Sequence, residues 1–112
     1  MTIETEINLL HQHICPAMGD PKRMLLLYHL ADADQTVGQL TTALGLPQST
    51  VSRHLAILRE NRLVNTQRHG TSIIYSLADR RIISALDIMR QVLNQQLSDR
   101  TAEAALILNP NT

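Results

Sequence analysis

The sequence predicts a mainly helical fold carrying one small β-hairpin, and three observations lead there. Apolar residues recur at helical spacing in successive stretches of the chain. Two runs rich in strand-forming residues, Leu63–Arg68 and Ser72–Leu77, flank a His69-Gly70-Thr71 turn. A tight glycine turn, Gly45-Leu46-Pro47, separates two of the helices.

The elements follow in order. Ile3, Ile7, Leu10 and Ile14 make a first amphipathic helix, which Pro16 is expected to end or kink at Cys15. Asp20-Pro21 reads as an N-cap followed by proline in the first helical position. The second helix then runs to Ala31 with Met24, Leu27, Tyr28 and Ala31 on one face. Thr36-Val37-Gly38-Gln39 has the form of a capping box and opens a short third helix through Leu40, Ala43 and Leu44. Gly45 is placed to end it in the left-handed conformation. Pro47 opens a fourth helix to Asn61, lined inside by Val51, Leu55 and Leu58. After the hairpin, Asp79 begins a fifth helix to Leu97 with a seam of Ile82, Leu86, Met89, Leu93 and Leu97. A short sixth helix from Arg100 to Leu108 and a frayed Asn109–Thr112 end complete the reading. Two helices joined by a tight turn and followed by a hairpin form a winged helix-turn-helix. The expected organisation is one such domain over residues 1–98, for DNA binding and dimerisation, and a C-terminal tail over residues 99–112.

Composition narrows the function. Tyr28 and Tyr75 are the only aromatic residues, which disfavours single-stranded nucleic acid, whose bases need π-faces to stack on. The formal net charge is zero, but it is unevenly spread. Residues 48–78 hold Arg53, Arg59, Arg62 and Arg68 against Glu60 alone, while residues 1–47 are net acidic. Such a basic stretch suits a nucleic-acid footprint and equally a solvated mixed surface. The single cysteine, Cys15, rules out an intrachain disulfide and fits a reducing compartment. No apolar run approaches the roughly 20 residues that span a bilayer. Met1-Thr2-Ile3-Glu4 lacks the basic flank of a signal peptide, so a cytoplasmic protein with no membrane partner is expected. Neither a glycine-rich phosphate loop nor a nucleophile motif supports an enzyme.

The fourth helix carries the functional argument. Its apolar stripe turns Ser49, Thr50, Ser52, Arg53 and Ala56 outward or to the flank. Such a face is short and polar enough to enter a major groove, where Arg53 can fork onto guanine or meet a phosphate. Taken alone, an amphipathic helix with a solvated face is the commoner arrangement. The hairpin behind it, with Arg68 and His69 near its tip, favours the DNA reading.

Gly19-Asp20-Pro21-Lys22-Arg23-Met24-Leu25-Leu26-Leu27 resembles the second-helix signature of the ArsR/SmtB family. Leu46-Pro47-Gln48-Ser49-Thr50-Val51-Ser52-Arg53-His54-Leu55-Ala56-Ile57-Leu58-Arg59 is similar to its recognition helix, and Leu63-Val64 through Tyr75-Ser76-Leu77 to its wing. The likeness spans residues 10–97. It implies a dimeric winged-helix repressor that binds double-stranded DNA and dimerises through its first and last helices. For the groove it implies Gln48, Ser49, Thr50, Ser52, Arg53 and His54, and for the wing Arg68, His69, Gly70 and Thr71. The dimer would use Ile3, Ile7, Leu10 and Ile14 with Ile82, Leu86, Met89 and Leu93, stripes too apolar for water in a small domain. Two reading heads imply a roughly palindromic operator. Pro47 departs from the family, which often has serine there as a hydroxyl cap.

The family's sensor positions depart further. Where metal-sensing relatives carry Cys-x-Cys, the sequence has Thr36-Val37-Gly38-Gln39. Where others bind zinc along the last helix, it has Asp79, Arg81, Val92 and Gln95, and a cationic arginine cannot ligate. Both common metal sites are therefore expected to be absent, and the fold is expected to need no cofactor. His11-x-His13-x-Cys15 has ligand types suited to zinc, copper or haem iron. On a helix, however, His11 and Cys15 share a face that His13 does not. The plainer reading is two surface histidines and a half-buried thiol. Cys15 remains the candidate sensor if a signal acts directly. The competing function is a winged-helix interaction module without DNA binding.

Overall fold

Helix α1 (Ile3–Met18) begins on Thr2, whose hydroxyl accepts the N–H of Thr5 at 3.2 Å, and Glu4 and Glu6 sit in its positive first turn. Of the end or kink expected at Cys15, the end does not occur: the helix runs through Pro16. Its end is secured by Arg23 of the next helix. The Pro16 carbonyl accepts the N–H of Gly19 at 3.3 Å, while Arg23 donates to the carbonyls of Ala17 (2.6 Å) and Pro16 (3.1 Å). Carbonyls that a helix end leaves without partners are thus satisfied from the next helix.

Helix α2 (Pro21–Asp32) has the expected start: the Asp20 carboxylate accepts the N–H of Lys22 at 2.7 Å, and Pro21 occupies the first turn. Its buried face differs from expectation. Leu26, Leu27 and Leu30 are fully covered, whereas Met24, Tyr28 and Ala31 are not. The near-continuous apolar run Met24–Tyr28 fits several helical faces, and contacts with α1 and the rest of the core choose among them.

A strand that the sequence did not announce comes next. β1 (Gln35–Thr36) has only two residues, too few to show any periodicity. The capping box at Thr36 forms as expected, with Gln39 N–H to Thr36 Oγ1 at 3.2 Å and Thr36 N–H to Gln39 Oε1 at 2.9 Å. It starts α3 (Val37–Leu44), which ends on Gly45 at φ 65°, a conformation that costs a residue with a Cβ. After Leu46, Pro47 stands in the N-cap position just outside α4 (Gln48–Glu60).

The end of α4 is a Schellman motif: Leu63 N–H bonds to Leu58 O (2.9 Å) and Arg62 N–H to Arg59 O (3.0 Å). Arg62 occupies the left-handed position at φ 59°, where glycine is usual. The chain continues into the hairpin of β2 (Val64–His69) and β3 (Ser72–Leu77). His69 pairs with Ser72, leaving Gly70 and Thr71 as the turn, and Gly70 takes φ 62°. β1 pairs with β3 on its other edge, Gln35 opposite Tyr75, giving the sheet order β1-β3-β2.

The computed structural model describes residues 1–108, and the chain divides into a unit of Met1–Arg80 and a unit of Arg81–Thr112. The core of the first is Ala17, Leu26, Leu27, Leu30, Leu40, Val51, Leu55, Leu58, Leu63 and Val64, none more than 3% exposed. It gathers Ala17 from the end of α1 and the inner residues of α2, α3 and α4 with the start of the hairpin.

The described residues of the second unit form one helix, α5 (Arg81–Leu108), which buries none of them. It begins two residues later than Asp79, and the separate sixth helix is instead its continuation. The expected boundary at residue 98 therefore falls inside a helix. Residues 81–108 contain neither glycine nor proline to break it. Gln95 bonds Asp99 at 2.9 Å and Thr101 Oγ1 bonds Leu97 O at 2.9 Å across that point. The frayed end read for Asn109–Thr112 lies outside the described residues.

Candidate nucleic-acid interface

α3 and α4 pack on each other across the Gly45-Leu46-Pro47 turn, and α4 also packs on α2 and β2. These contacts use the inner residues Val51, Leu55 and Leu58, so the outer face is decided by default. Gln48, Ser49, Ser52, Arg53 and Ala56 are exposed, and Thr50 at the flank is half-buried. No side chain caps α4, because Pro47 stands where a hydroxyl would accept a bond. Thr50 and Val51 already donate to the Pro47 carbonyl at 3.1 Å, which leaves the N–H groups of Gln48 and Ser49 at the positive end of the helix for an anion.

Arg68, His69, Gly70 and Thr71 are all exposed at the end of the hairpin. The hairpin is held at its base by buried Leu63 and Val64, and by the Ala78 N–H to Leu63 O bond at 3.1 Å. Its tip projects a cation and a histidine from a fixed root. Where α4 meets the sheet, Arg59 lines two open depressions, one with Ala56, Glu60 and Tyr75 and the other with Arg62, Val64, Asn65 and Thr66.

His54 does not belong to this surface. It was expected in the groove, but it lies on the inner side of α4 at 8% exposure, with Nδ1 3.0 Å from Nη1 of Arg23. Its position one turn before Leu58 and three residues after Val51 places it on the covered stripe, a spacing visible in the sequence. Burial lowers its pKa from the ordinary 6.5; Asp20 opposes that shift, and the charges of Arg23, Lys22 and Arg53 add to it. Arg23, the residue that holds it, was not singled out from sequence. A cation beside the otherwise apolar Met24–Leu27 run was the available signal.

Cys15 is exposed, not half-buried. Continuous α1 keeps His11 and Cys15 on one face and His13 off it. Among the described residues no three His, Cys, Asp or Glu side chains gather where they could hold a metal ion. No helix among them is long and apolar enough to cross a membrane.

The stripes expected to meet a partner chain are uncovered in the single chain. On α1, Ile3, Ile7, Leu10 and Ile14 are 77%, 54%, 42% and 38% exposed. On α5, Met89 and Leu93 are 63% and 51% exposed, and Ile82 and Leu86 are half-buried.

A glycine-turned helix pair whose second member shows a bare polar face, followed by a rooted hairpin with a basic tip, defines a winged helix-turn-helix regulator. The chain belongs to the arsR family of bacterial regulatory proteins, whose family model matches residues 20–66. It is 37% identical over 86 residues to the uncharacterized HTH-type transcriptional regulator Rv0081 of Mycobacterium tuberculosis, covering 76% of this chain and 75% of that protein. It is 33% identical over 79 residues to the transcriptional activator HlyU of Vibrio cholerae, covering 70% and 73%. The crystal structure of Rv0081 superposes with a TM-score of 0.76 over 85% of this chain and 96% of that one, at 33% identity. A homodimeric winged helix-turn-helix DNA-binding domain from Mycobacterium bovis gives 0.74 over 88% and 93%, at 23% identity, which speaks to the fold.

Proposed function

We propose that this chain acts as a cytoplasmic homodimer that represses transcription by occupying a roughly palindromic operator until a signal releases it. One observation carries the reading: the outward face of α4, with Gln48, Ser49, Ser52 and Arg53 exposed and its N-terminus uncapped, is chemically a groove-reading surface. Thr50 flanks that face, and the wing's Arg68, His69, Gly70 and Thr71 supply backbone contacts beside it. The apolar stripes on α1 and on α5 support a second copy as partner, since water is a poor neighbour for them. Half-sites then fall about one helical turn of DNA apart, ~10 bp, or a multiple of it. Repression is what the resemblance to dimeric repressors implies. The name of HlyU points to the opposite sign for that relative. The reading assigns the chain no catalytic role.

Zinc has no place in the proposal through α3 or α5, because Thr36, Gly38, Arg81, Val92 and Gln95 cannot supply a ligand shell. A signal acting directly on the protein would meet Cys15, exposed on α1.

The test is selection of bound sequences from random duplex DNA, sedimentation of the free and bound protein, and transcription from a promoter overlapping the selected site. A paired site bound by two chains, with transcription falling, is expected. Failure to bind any duplex at low salt would leave the interaction-module reading in its place. Release by zinc in Cys15→Ser, or equal responses of Cys15→Ser and wild type to peroxide and haem, would remove the sensing part.

A further inference from the structure

The side chain of Arg23 joins two elements that the DNA reading treats separately. Its Nε and Nη2 donate to the last carbonyls of α1, Ala17 O at 2.6 Å and Pro16 O at 3.1 Å. Its Nη1 reaches Nδ1 of His54, on the buried side of α4, at 3.0 Å. One guanidinium therefore ties the end of the helix that carries the exposed Ile3–Ile14 stripe to the helix that carries Arg53.

The chemistry of that contact fixes a protonation state. A guanidinium has only donors and does not lose its proton. Nδ1 of His54 must accept, so the imidazole is neutral with its proton on Nε2. Protonation would set an N–H on Nδ1 against the N–H of Arg23, and a second positive charge against the first. The surrounding charges do not rescue it. On α2 and its cap, Lys22 and Arg23 oppose a charged His54, and only Asp20 favours it. Arg53 on α4 itself opposes it too. The last turn of α1 holds no basic residue, α3 holds no charged residue, and the charged and titratable side chains of β2, Arg68 and His69, stand at the exposed tip.

We propose that His54 is a positioning residue for DNA binding: accepting from Arg23, it holds α4 in a fixed pitch against the end of α1, and its protonation releases that hold and weakens binding. The proposal rests on the DNA reading above. Val51, Leu55 and Leu58 keep α4 in the core when the bond is lost, so the helix stays but its outer face is no longer aimed. The sign is diagnostic. Histidines beside DNA phosphates ordinarily act in one direction, strengthening binding as they gain charge. His54 acts in the other.

The test compares wild type, His54→Gln and His54→Leu on a duplex selected by the wild type at pH 7.5, with affinities measured from pH 8 to pH 5 at constant salt. His54→Gln keeps an acceptor for Arg23 and does not titrate. It is expected to bind like wild type at pH 7.5, and the ratio of wild-type to His54→Gln affinity should fall as pH drops through the His54 midpoint, by at most about tenfold per pH unit. His54→Leu keeps the volume without the acceptor and should bind weakly at every pH while remaining folded by circular dichroism. Nitrogen NMR of the wild-type imidazole supplies a measurement independent of any variant, with the Nε2–H tautomer expected at pH 7.5. The Nδ1–H tautomer would overturn the proposal. So would superposed pH profiles of wild type and His54→Gln, with DNA binding intact. A wild type that binds no duplex at pH 7.5 overturns the DNA reading itself, and this proposal with it.

Discussion

Helices α1 and α4 are amphipathic to the same degree, yet the chain uses them in opposite ways. α4 turns its apolar stripe inward and buries Val51, His54, Leu55 and Leu58. α1 buries Ala17 alone and leaves Ile3, Ile7, Leu10 and Ile14 outside. What each helix leaves bare then differs in kind. α4 offers hydroxyls, an amide and a guanidinium to something polar and charged, while α1 offers hydrocarbon to something apolar. Periodicity shows that a helix has two faces. Only the packing of the rest of the chain shows which face still needs a partner.

The sharpest way to break this comparison is the same substitution in both helices. Leu55→Ala removes a fully buried side chain and should cost about 2–5 kcal/mol of stability, from lost burial and the cavity left behind. Leu10→Ala removes one that is 42% exposed and should change the stability of the isolated chain by no more than about 0.5 kcal/mol. It should instead weaken self-association. Urea unfolding at low and high protein concentration separates the two, because only a dimer gains stability with concentration. Equal losses at low concentration would mean that α1 is a core helix in its own right.

A second pair of substitutions sharpens the α4 side. Arg53→Ala should cost about 1–3 kcal/mol on a selected duplex and relax base preference, if its guanidinium forks onto a base edge. Arg68→Ala should weaken selected and random duplexes alike and flatten the salt dependence by about one unit of slope. Titrations over a range of salt on both duplexes read this directly. Identical behaviour of the two variants would remove the distinction between a reading helix and a positioning wing.

Smaller still is the effect of pH on the fold. The folded pKa of His54 lies below 6.5, so its contribution to stability is present above pH 6.5 and is lost as pH falls through the folded value. His54→Gln should lack that part of the acid-side decline. The Asp20 carboxylate, held below its ordinary 3.8 chiefly by the Lys22 N–H, acts in a lower window, stabilising above pH 3.8 and losing its effect below. Chemical denaturation at pH 7.5, 6 and 5 tests the first of these.

Where the sequence was legible, it was so through local chemistry. The Asp20-Pro21 start, the Thr36–Gln39 capping box, the left-handed Gly45 and the Gly70 turn each need only neighbouring residues, and each formed. The outer face of α4 was legible because Val51, Leu55 and Leu58 mark its opposite. His54 was misplaced because the resemblance of the whole helix outweighed its spacing from those same residues. The buried face of α2 was not legible for a different reason. It depends on contacts between elements, on which leucines the core accepts. β1 could not be seen at all, since two residues become a strand only when β3 lies beside them.

The smallest expected effect lies at the junction of reading helix and wing. Arg62 closes the Schellman motif at φ 59°, a conformation that costs a residue with a Cβ about 1–2 kcal/mol. Glycine escapes that cost but loses about 0.5–1 kcal/mol more chain entropy on folding. Arg62→Gly should therefore stabilise the fold by about 0.5–1 kcal/mol, seen as a raised urea midpoint with unchanged slope. Removal of a positive charge beside Arg59 could raise stability by itself, and Arg62→Ala separates the two causes. It removes the same charge while keeping the Cβ, so it should gain little. Equal gains in both variants would assign the effect to charge. A gain in glycine alone would show that the α4 end stores backbone strain, at the point where a basic side chain is held beside Asn65 and Thr66.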